Sequence, residues 1–397
     1  MSAHEPYDEA ALQALVHRAL SRRQFLGRTA VAAGGLAFGS TFLAACAKKE
    51  GAAVADSTKA VAATATKIVK ISNWPLYIDK ETVPQFEAAT GIKAVYTEDV
   101  NDNNEYFAKI DEPLKRGQSI DRDVVVLTDW MAGRLIKLGY VQAIPVDNFP
   151  NKANLVDGLQ NVGFDPSRKF SMPWLSGMTG VGYNPKKTGR ELTSINDIFD
   201  PKFKGQVTML TEMRDTVGLV MLGQGKDPAS CTLDDAKAAC AKIKKYRENG
   251  HIRKFTGNDY ANDLAQGNIA VALAWSGDIQ GLAADNPGLR WMAPKEGAML
   301  FSDNMLIPKT AEHPEEASAW MNYVYDPAHS AQIVVAAPYI SAVKGAGEAL
   351  AKIDPALAKS PLVNPPEDIR ARLHVFKWLE DAEDQEFNRL FQDAIGA

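Results

Sequence analysis

Cysteine is scarce: the 397-residue chain has three, which excludes a disulfide framework of the kind that staples small secreted domains. Cys231 and Cys240 flank the start of a helix signalled by Thr232-Leu233-Asp234-Asp235, which resembles a capping box. Nine mostly helical residues at 1.5 Å rise set these cysteines about 13 Å apart, beyond disulfide reach, so both are expected to pack as thiols. The apolar run over 30–45, broken by Ser40 and Thr41, falls short of the roughly 20 residues that span a bilayer. There is no basic block, and the formal net charge is −5, which argues against a nucleic-acid partner. The slight acidic excess suits a cationic ligand without identifying one. Histidines at 4, 17, 251, 313, 329 and 374 show no metal-ligand spacing. The glycines of Gly177-Met178-Thr179-Gly180-Val181-Gly182 stand in the wrong order for a dinucleotide loop, no P-loop lysine follows them, and no Gly-x-Ser-x-Gly turn occurs. An enzyme reading therefore has no positive feature, and no cofactor or metal is expected.

What is present begins with Ser21-Arg22-Arg23-Gln24-Phe25-Leu26-Gly27, ahead of the apolar run. Paired arginines at that place mark an export signal of the twin-arginine type. The run closes on Leu43-Ala44-Ala45-Cys46, which resembles the lipobox of bacterial lipoproteins. That resemblance implies removal of 1–45, lipid on Cys46, and attachment to the membrane. Residues 46–66, rich in Ala, Ser, Thr and Val and free of aromatics, read as a flexible tether.

From Lys67 onward, strand-like runs at 68–72, 94–97, 124–127, 206–210, 269–275 and 304–307 alternate with helical stretches at 79–90, 104–115 and 130–138. Ala317, Trp320, Met321 and Val324 fall on one face of a helix over 314–325, and Asp326-Pro327 offers a cap and a first-turn proline for the next. This alternation predicts an α/β fold with mainly parallel sheets.

A series of phrases carries a resemblance. Asn73-Trp74-Pro75-Leu76-Tyr77, Phe86-Glu87 with Thr90-Gly91-Ile92-Lys93, Asp123-Val124-Val125-Val126 with Trp130, and Met172-Pro173-Trp174 come first. Gly180-Val181-Gly182-Tyr183-Asn184, Trp275-Ser276-Gly277-Asp278, Pro294-Lys295-Glu296-Gly297-Ala298-Met299, Asp303 and Pro365-Pro366-Glu367-Asp368-Ile369-Arg370 follow in order. Together they are similar to the spermidine/putrescine-binding proteins of polyamine ABC transporters, from about Ile68 to the C-terminus. The resemblance implies a two-lobe periplasmic-binding-protein fold of type II with ligand in the interlobe cleft. Lobe one is expected over 67–182 plus 299–339, and lobe two over 183–298 plus 340–397, with crossings near Gly182, Ala298 and Tyr339. It further implies a polyamine ligand, ABC permease subunits as partners, and a single copy of the chain. Rivals are a binder of another small solute, a periplasmic sensor, and a periplasmic enzyme.

A polyamine needs carboxylates at its amine spacings and aromatic walls for its methylenes. The resemblance assigns these roles to Trp74, Tyr77, Thr128, Trp130, Trp275, Asp278, Phe301, Asp303 and Tyr339. Glu212 and Asp215, three apart at a helix start, share one face; they serve either the ligand or the dipole of their own helix. Tyr77 reads equally as core, and Asp303 as a cap on a backbone turn. Pro75-Leu76 replaces a polar pair found in some relatives. Lys377 is expected to repel an ammonium unless it pairs with Glu380 or Asp381.

Overall fold

Strand and helix alternate through residues 67–397, the part described by the computed structural model; the expectations for Arg22, Arg23, Cys46 and the 46–66 tether concern residues outside it. The first strand, β1 (Ile68–Asn73), leads through α1 (Thr82–Thr90) to β2 (Lys93–Glu98). From there α2 (Asn103–Lys115), β3 (Val124–Thr128) and α3 (Asp129–Lys137) follow. Because β1 pairs in parallel with both β2 and β3, each connecting helix is a crossover covering a face of the sheet. A second parallel group comprises β5 (Val207–Leu210), β6 (Ile252–Thr256) and β7 (Val271–Trp275), with β5 in the middle. Its helices are α4 (Met213–Leu222), α5 (Leu233–Glu248) and α6 (Tyr260–Ala265), and α7 (Ser276–Asp285) leaves the end of β7.

Two long strands join the groups: β4 (Ser171–Tyr183) and, after the short β8 (Arg290–Met292), β9 (Ala298–Leu306). They are antiparallel to each other and to their neighbours β3 and β7. The strand order is therefore β2-β1-β3-β9-β4-β7-β5-β6. The expectation of mainly parallel sheets is corrected at this centre. All thirteen residues of β4 are buried, yet its three glycines and Pro173 carry low strand propensity, so no strand is legible there. Along its length β4 changes partner: Ser171 to Thr179 face β9, and Thr179 to Tyr183 face β7.

Local signals hold where chemistry is local. Thr232 accepts from the Asp235 N–H and Asp235 returns the bond, closing the capping box of α5. Cys231 and Cys240 are buried free thiols. The helix α8 (Pro314–Val324) buries Ala317, Trp320, Met321 and Val324 as its periodicity requires. Trp320 stacks on Trp174 with ring centroids 6.4 Å apart and meets Phe86 edge-on at 5.1 Å. Asp326 caps α9 (Pro327–Ala336) by accepting the Ala328 N–H. The last helix, α10 (Asp381–Ile395), follows β10 (Leu373–His374), which pairs with β9.

Candidate ligand-binding site

A cavity of about 840 Å³ opens where the strand ends of the two parallel groups face the middle of β9. All eleven residues singled out above line it. Strand ends in open α/β sheets leave their side chains at a crevice, which is why those loops collect ligand contacts.

Asp303 shows how register builds the site. It lies on β9 directly opposite Thr128 of β3, so their side chains share a face. The Thr128 hydroxyl donates to Oδ1 at 2.8 Å, and the Tyr77 phenol donates to Oδ2 at 2.9 Å. Asp303 is 4% exposed. Burial, against those two bonds, pushes its carboxyl up to about 7. Among the described residues the side chain accepts only from these side-chain hydroxyls, so the backbone-cap alternative falls.

Trp275 closes β7, and its indole N–H donates to Asp215 Oδ2 at 2.9 Å. Burial pushes Asp215 up to about 6. Asp278 sits in the first turn of α7 and accepts from Tyr260 at 2.7 Å, Tyr339 at 2.8 Å and Asn258 at 3.1 Å. Desolvation still outweighs those bonds and raises its pKa. The Tyr339 ring reaches Asp278 because residue 277 is glycine: a Cβ there would lie 2.2 Å from the ring. The aromatic side chains form a connected wall. Trp74 meets Trp275 edge-on at 6.1 Å, Trp275 meets Phe301 at 6.5 Å, Phe301 meets Tyr339 at 6.3 Å, and Tyr339 meets Tyr77 at 5.0 Å.

Glu212 behaves differently from its neighbour. It occupies the N-cap position of α4 without capping that helix. Its Oε1 accepts from the backbone N–H and the side-chain Nδ2 of Asn103, at 3.0 and 2.9 Å. Asn103 opens α2 in the other parallel group, so this carboxyl bridges the two. Burial, with Asp102 nearby, raises the Glu212 pKa well above the usual carboxylate range. Arg214, which stands between the two in the chain, donates to Asp384 at 2.7 Å and lies over the Trp130 ring at 3.8 Å.

Lys377 pairs with Glu383 at 2.6 Å rather than with Glu380 or Asp381, which take Lys137. It precedes α10, so helical spacing does not govern its partner. Sequence reasoning missed Asp129, which lines the cavity and is pushed to about 6 by burial. It also missed Asn103, Asn258 and Tyr260. Asp129 stands between two chosen residues and could have been found; Tyr260 carries no signal, since its role depends on α6 folding beside α7.

Five carboxylates, Glu212 and Asp303 buried and Asp129, Asp215 and Asp278 half-buried, thus line one cavity, and among the described residues none of them makes an ion pair. Such an arrangement, in a two-lobe α/β fold with aromatic walls, defines a solute-binding protein. The chain belongs to the bacterial extracellular solute-binding proteins, whose family model matches residues 81–364. This is a non-catalytic family, which removes the enzyme reading. Over 347 residues the chain is 33% identical to the putrescine-binding periplasmic protein PotF of Escherichia coli K12, covering 82% of this chain and 90% of that one. It is 30% identical over 329 residues to the putrescine-binding periplasmic protein SpuD of Pseudomonas aeruginosa, covering 78% and 87%. A putative spermidine/putrescine ABC transporter protein from Listeria monocytogenes superposes with a TM-score of 0.75 at 25% identity, covering 83% and 98%.

Proposed function

We propose that this protein captures a polyamine of the spermidine/putrescine class outside the cytoplasm and hands it to an ABC importer. The observation that carries the reading is the set of buried and half-buried carboxylates that, among the described residues, meet uncharged hydrogen-bond donors and no ion-pair partner. Desolvation raises the pKa of each, and an arriving ammonium supplies the cation they lack. A hydrogen bond to a charged group contributes roughly 1.5–3 kcal/mol, and a cation over an aromatic face about 0.5–2 kcal/mol. In this reading Asp215, Asp278 and Asp303 hold ammonium groups, and Trp74, Tyr77, Trp130, Trp275, Phe301 and Tyr339 wall the methylenes. Thr128 orients Asp303, and Glu212 couples the lobes through Asn103. Pro75 and Leu76 both have apolar side chains, and Leu76 is 71% exposed, so the pair offers a ligand no polar side chain.

In this reading the lobes divide at 67–182 plus 299–339 and 183–298 plus 340–397, except that 340–353 goes with the first: Ile340–Ser341 pairs with Leu175–Ser176, and the helix Ala346–Ile353 packs on α9. Closure of the lobes over ligand is the hinge motion of periplasmic binders. Thermal unfolding against putrescine, spermidine, spermine and neutral amines tests the reading. A ligand at 100 times its Kd adds about 2.7 kcal/mol of stability. Absence of any shift with all three polyamines rejects the proposal.

Among the described residues no helix is long and apolar enough to cross a membrane. Attachment in this reading comes from lipid on Cys46 after twin-arginine export through Arg22-Arg23. More than one acyl chain is needed for stable anchoring. Cys46→Ala is expected to leave the protein unlipidated and in the soluble fraction. Labelled lipid on that variant, with sedimentation alongside membranes, removes the anchor assignment.

A further inference from the structure

The cavity is large for a four-carbon diamine: 840 Å³ lies in the upper part of the roughly 300–1,000 Å³ that accommodates drug-sized ligands. Its lining divides into two groups. One is the acidic aromatic group around Asp215, Asp278 and Asp303. The other contains Ile136, Phe164, Val375, Phe376 and Trp378. Gly133 ties this second group together: a Cβ there would stand 2.5 Å from the Trp378 ring and 3.0 Å from Cβ of Phe164. Three cations also line this region, Arg214, Lys137 and Lys377. Each is bound by a carboxylate that does not line the cavity: Asp384 at 2.7 Å, Glu380 at 2.9 Å and Glu383 at 2.6 Å, respectively. A second ammonium placed among them finds no free carboxylate, because each of these carboxylates already holds a cation. An uncharged apolar group meets aromatic and aliphatic surface. Trp378 is 42% exposed and Val375 51% exposed, so apolar area remains there for a ligand to cover.

We propose that the cavity accepts a polyamine charged at one end only: an N-acylated polyamine whose distal nitrogen is an amide and whose acyl group is aromatic or apolar. Its free ammonium binds the acidic group, and its acyl group lies against Phe164, Phe376 and Trp378. The inference rests on the amine reading of the acidic group. Acylation removes a charge that would find no free carboxylate beside Arg214, Lys137 and Lys377 and adds surface that Trp378 buries.

Calorimetric titration of the purified protein with putrescine, N-acetylputrescine, N-benzoylputrescine and spermidine tests it. N-benzoylputrescine is expected to bind at least about tenfold more tightly than N-acetylputrescine, the gain from burying about two methylene equivalents. Spermidine is expected to bind no more tightly than putrescine. In Trp378→Ala, and separately in Val375→Ala, the benzoyl-to-acetyl affinity ratio is expected to shrink several-fold; both positions are partly exposed, so the variants should fold. Putrescine binding with N-benzoylputrescine weaker than N-acetylputrescine, or an unchanged ratio in both variants, overturns the inference and leaves the polyamine reading standing. Failure of every amine to bind overturns both.

Discussion

Replacing Asp303 by Asn is expected to lower polyamine affinity by about ten- to a hundredfold while leaving the empty protein as stable as before, or more so. The amide preserves the shape and can still meet the Tyr77 and Thr128 hydroxyls. It loses the charge that an ammonium would find, and such a bond contributes roughly 1.5–3 kcal/mol. The pH dependence separates ligand from scaffold. The Asp303 carboxyl sits at about 7 in the folded protein and near 3.9 in an unfolded chain. A pKa raised by folding stabilises the empty protein fully below about pH 4, and that contribution drains away as pH rises to about 7. Asp215, at about 6, acts in the same direction. Affinity runs the opposite way, because only the carboxylate attracts an ammonium. It should rise with pH, changing by nearly tenfold per unit below 7, and level off above. Melting temperatures of the empty protein and titrations between pH 5 and 8 supply both curves. In Asp303→Asn both should flatten; a destabilised empty protein that binds normally would show Asp303 to be structural.

Trp275 carries the second large effect, and it reaches both stability and binding. Its ring touches Trp74, Tyr260 and Phe301, and its N–H holds Asp215. Trp275→Ala is expected to destabilise the protein by about 3–5 kcal/mol through the cavity it leaves. Affinity should fall about tenfold or more through lost methylene burial and cation–aromatic attraction, with less dependence on salt than for Asp303→Asn. Trp275→Phe keeps most of the wall but removes the donor to Asp215. That variant should retain most of its stability while the lower limb of its pH–affinity curve shifts upward, since Asp215 loses a bond that favours its charged form. Denaturant unfolding with titration across pH distinguishes the two roles. A Phe variant with an unaltered pH curve would mean that the indole N–H does not tune Asp215.

Much of the site was legible because its residues sit where strands end. Thr128 and Trp275 each close a strand visible from its apolar run and Trp74 directly follows one, while Asp278 and Asp215 fall in the first turns of helices that leave strand ends. The Glu212–Asp215 spacing read correctly as one helix start, yet gave no hint that the two carboxyls take different partners. Glu212 turns to Asn103, 109 residues earlier in the chain. The partner of Lys377, Glu383 rather than Glu380 or Asp381, was hidden for a related reason: Lys377 lies before α10, so spacing along the chain does not set its contacts.

The sequence alone determined the elements whose signals are local: the capped helices, the short parallel strands, the unpaired thiols and the types of side chain that could receive an amine. Those features arise within a few residues of one another, where propensity, capping and periodicity act. Only the tertiary structure decided that β4 and β9 run antiparallel through the centre of the sheet, because a strand rich in glycine gains its stability from neighbours on both sides. Likewise, the raised pKa of Asp303 is absent from the chain as text. It follows from burial between β3 and Tyr77 with hydroxyl donors and no cation, a balance set by residues 175 and 226 positions away.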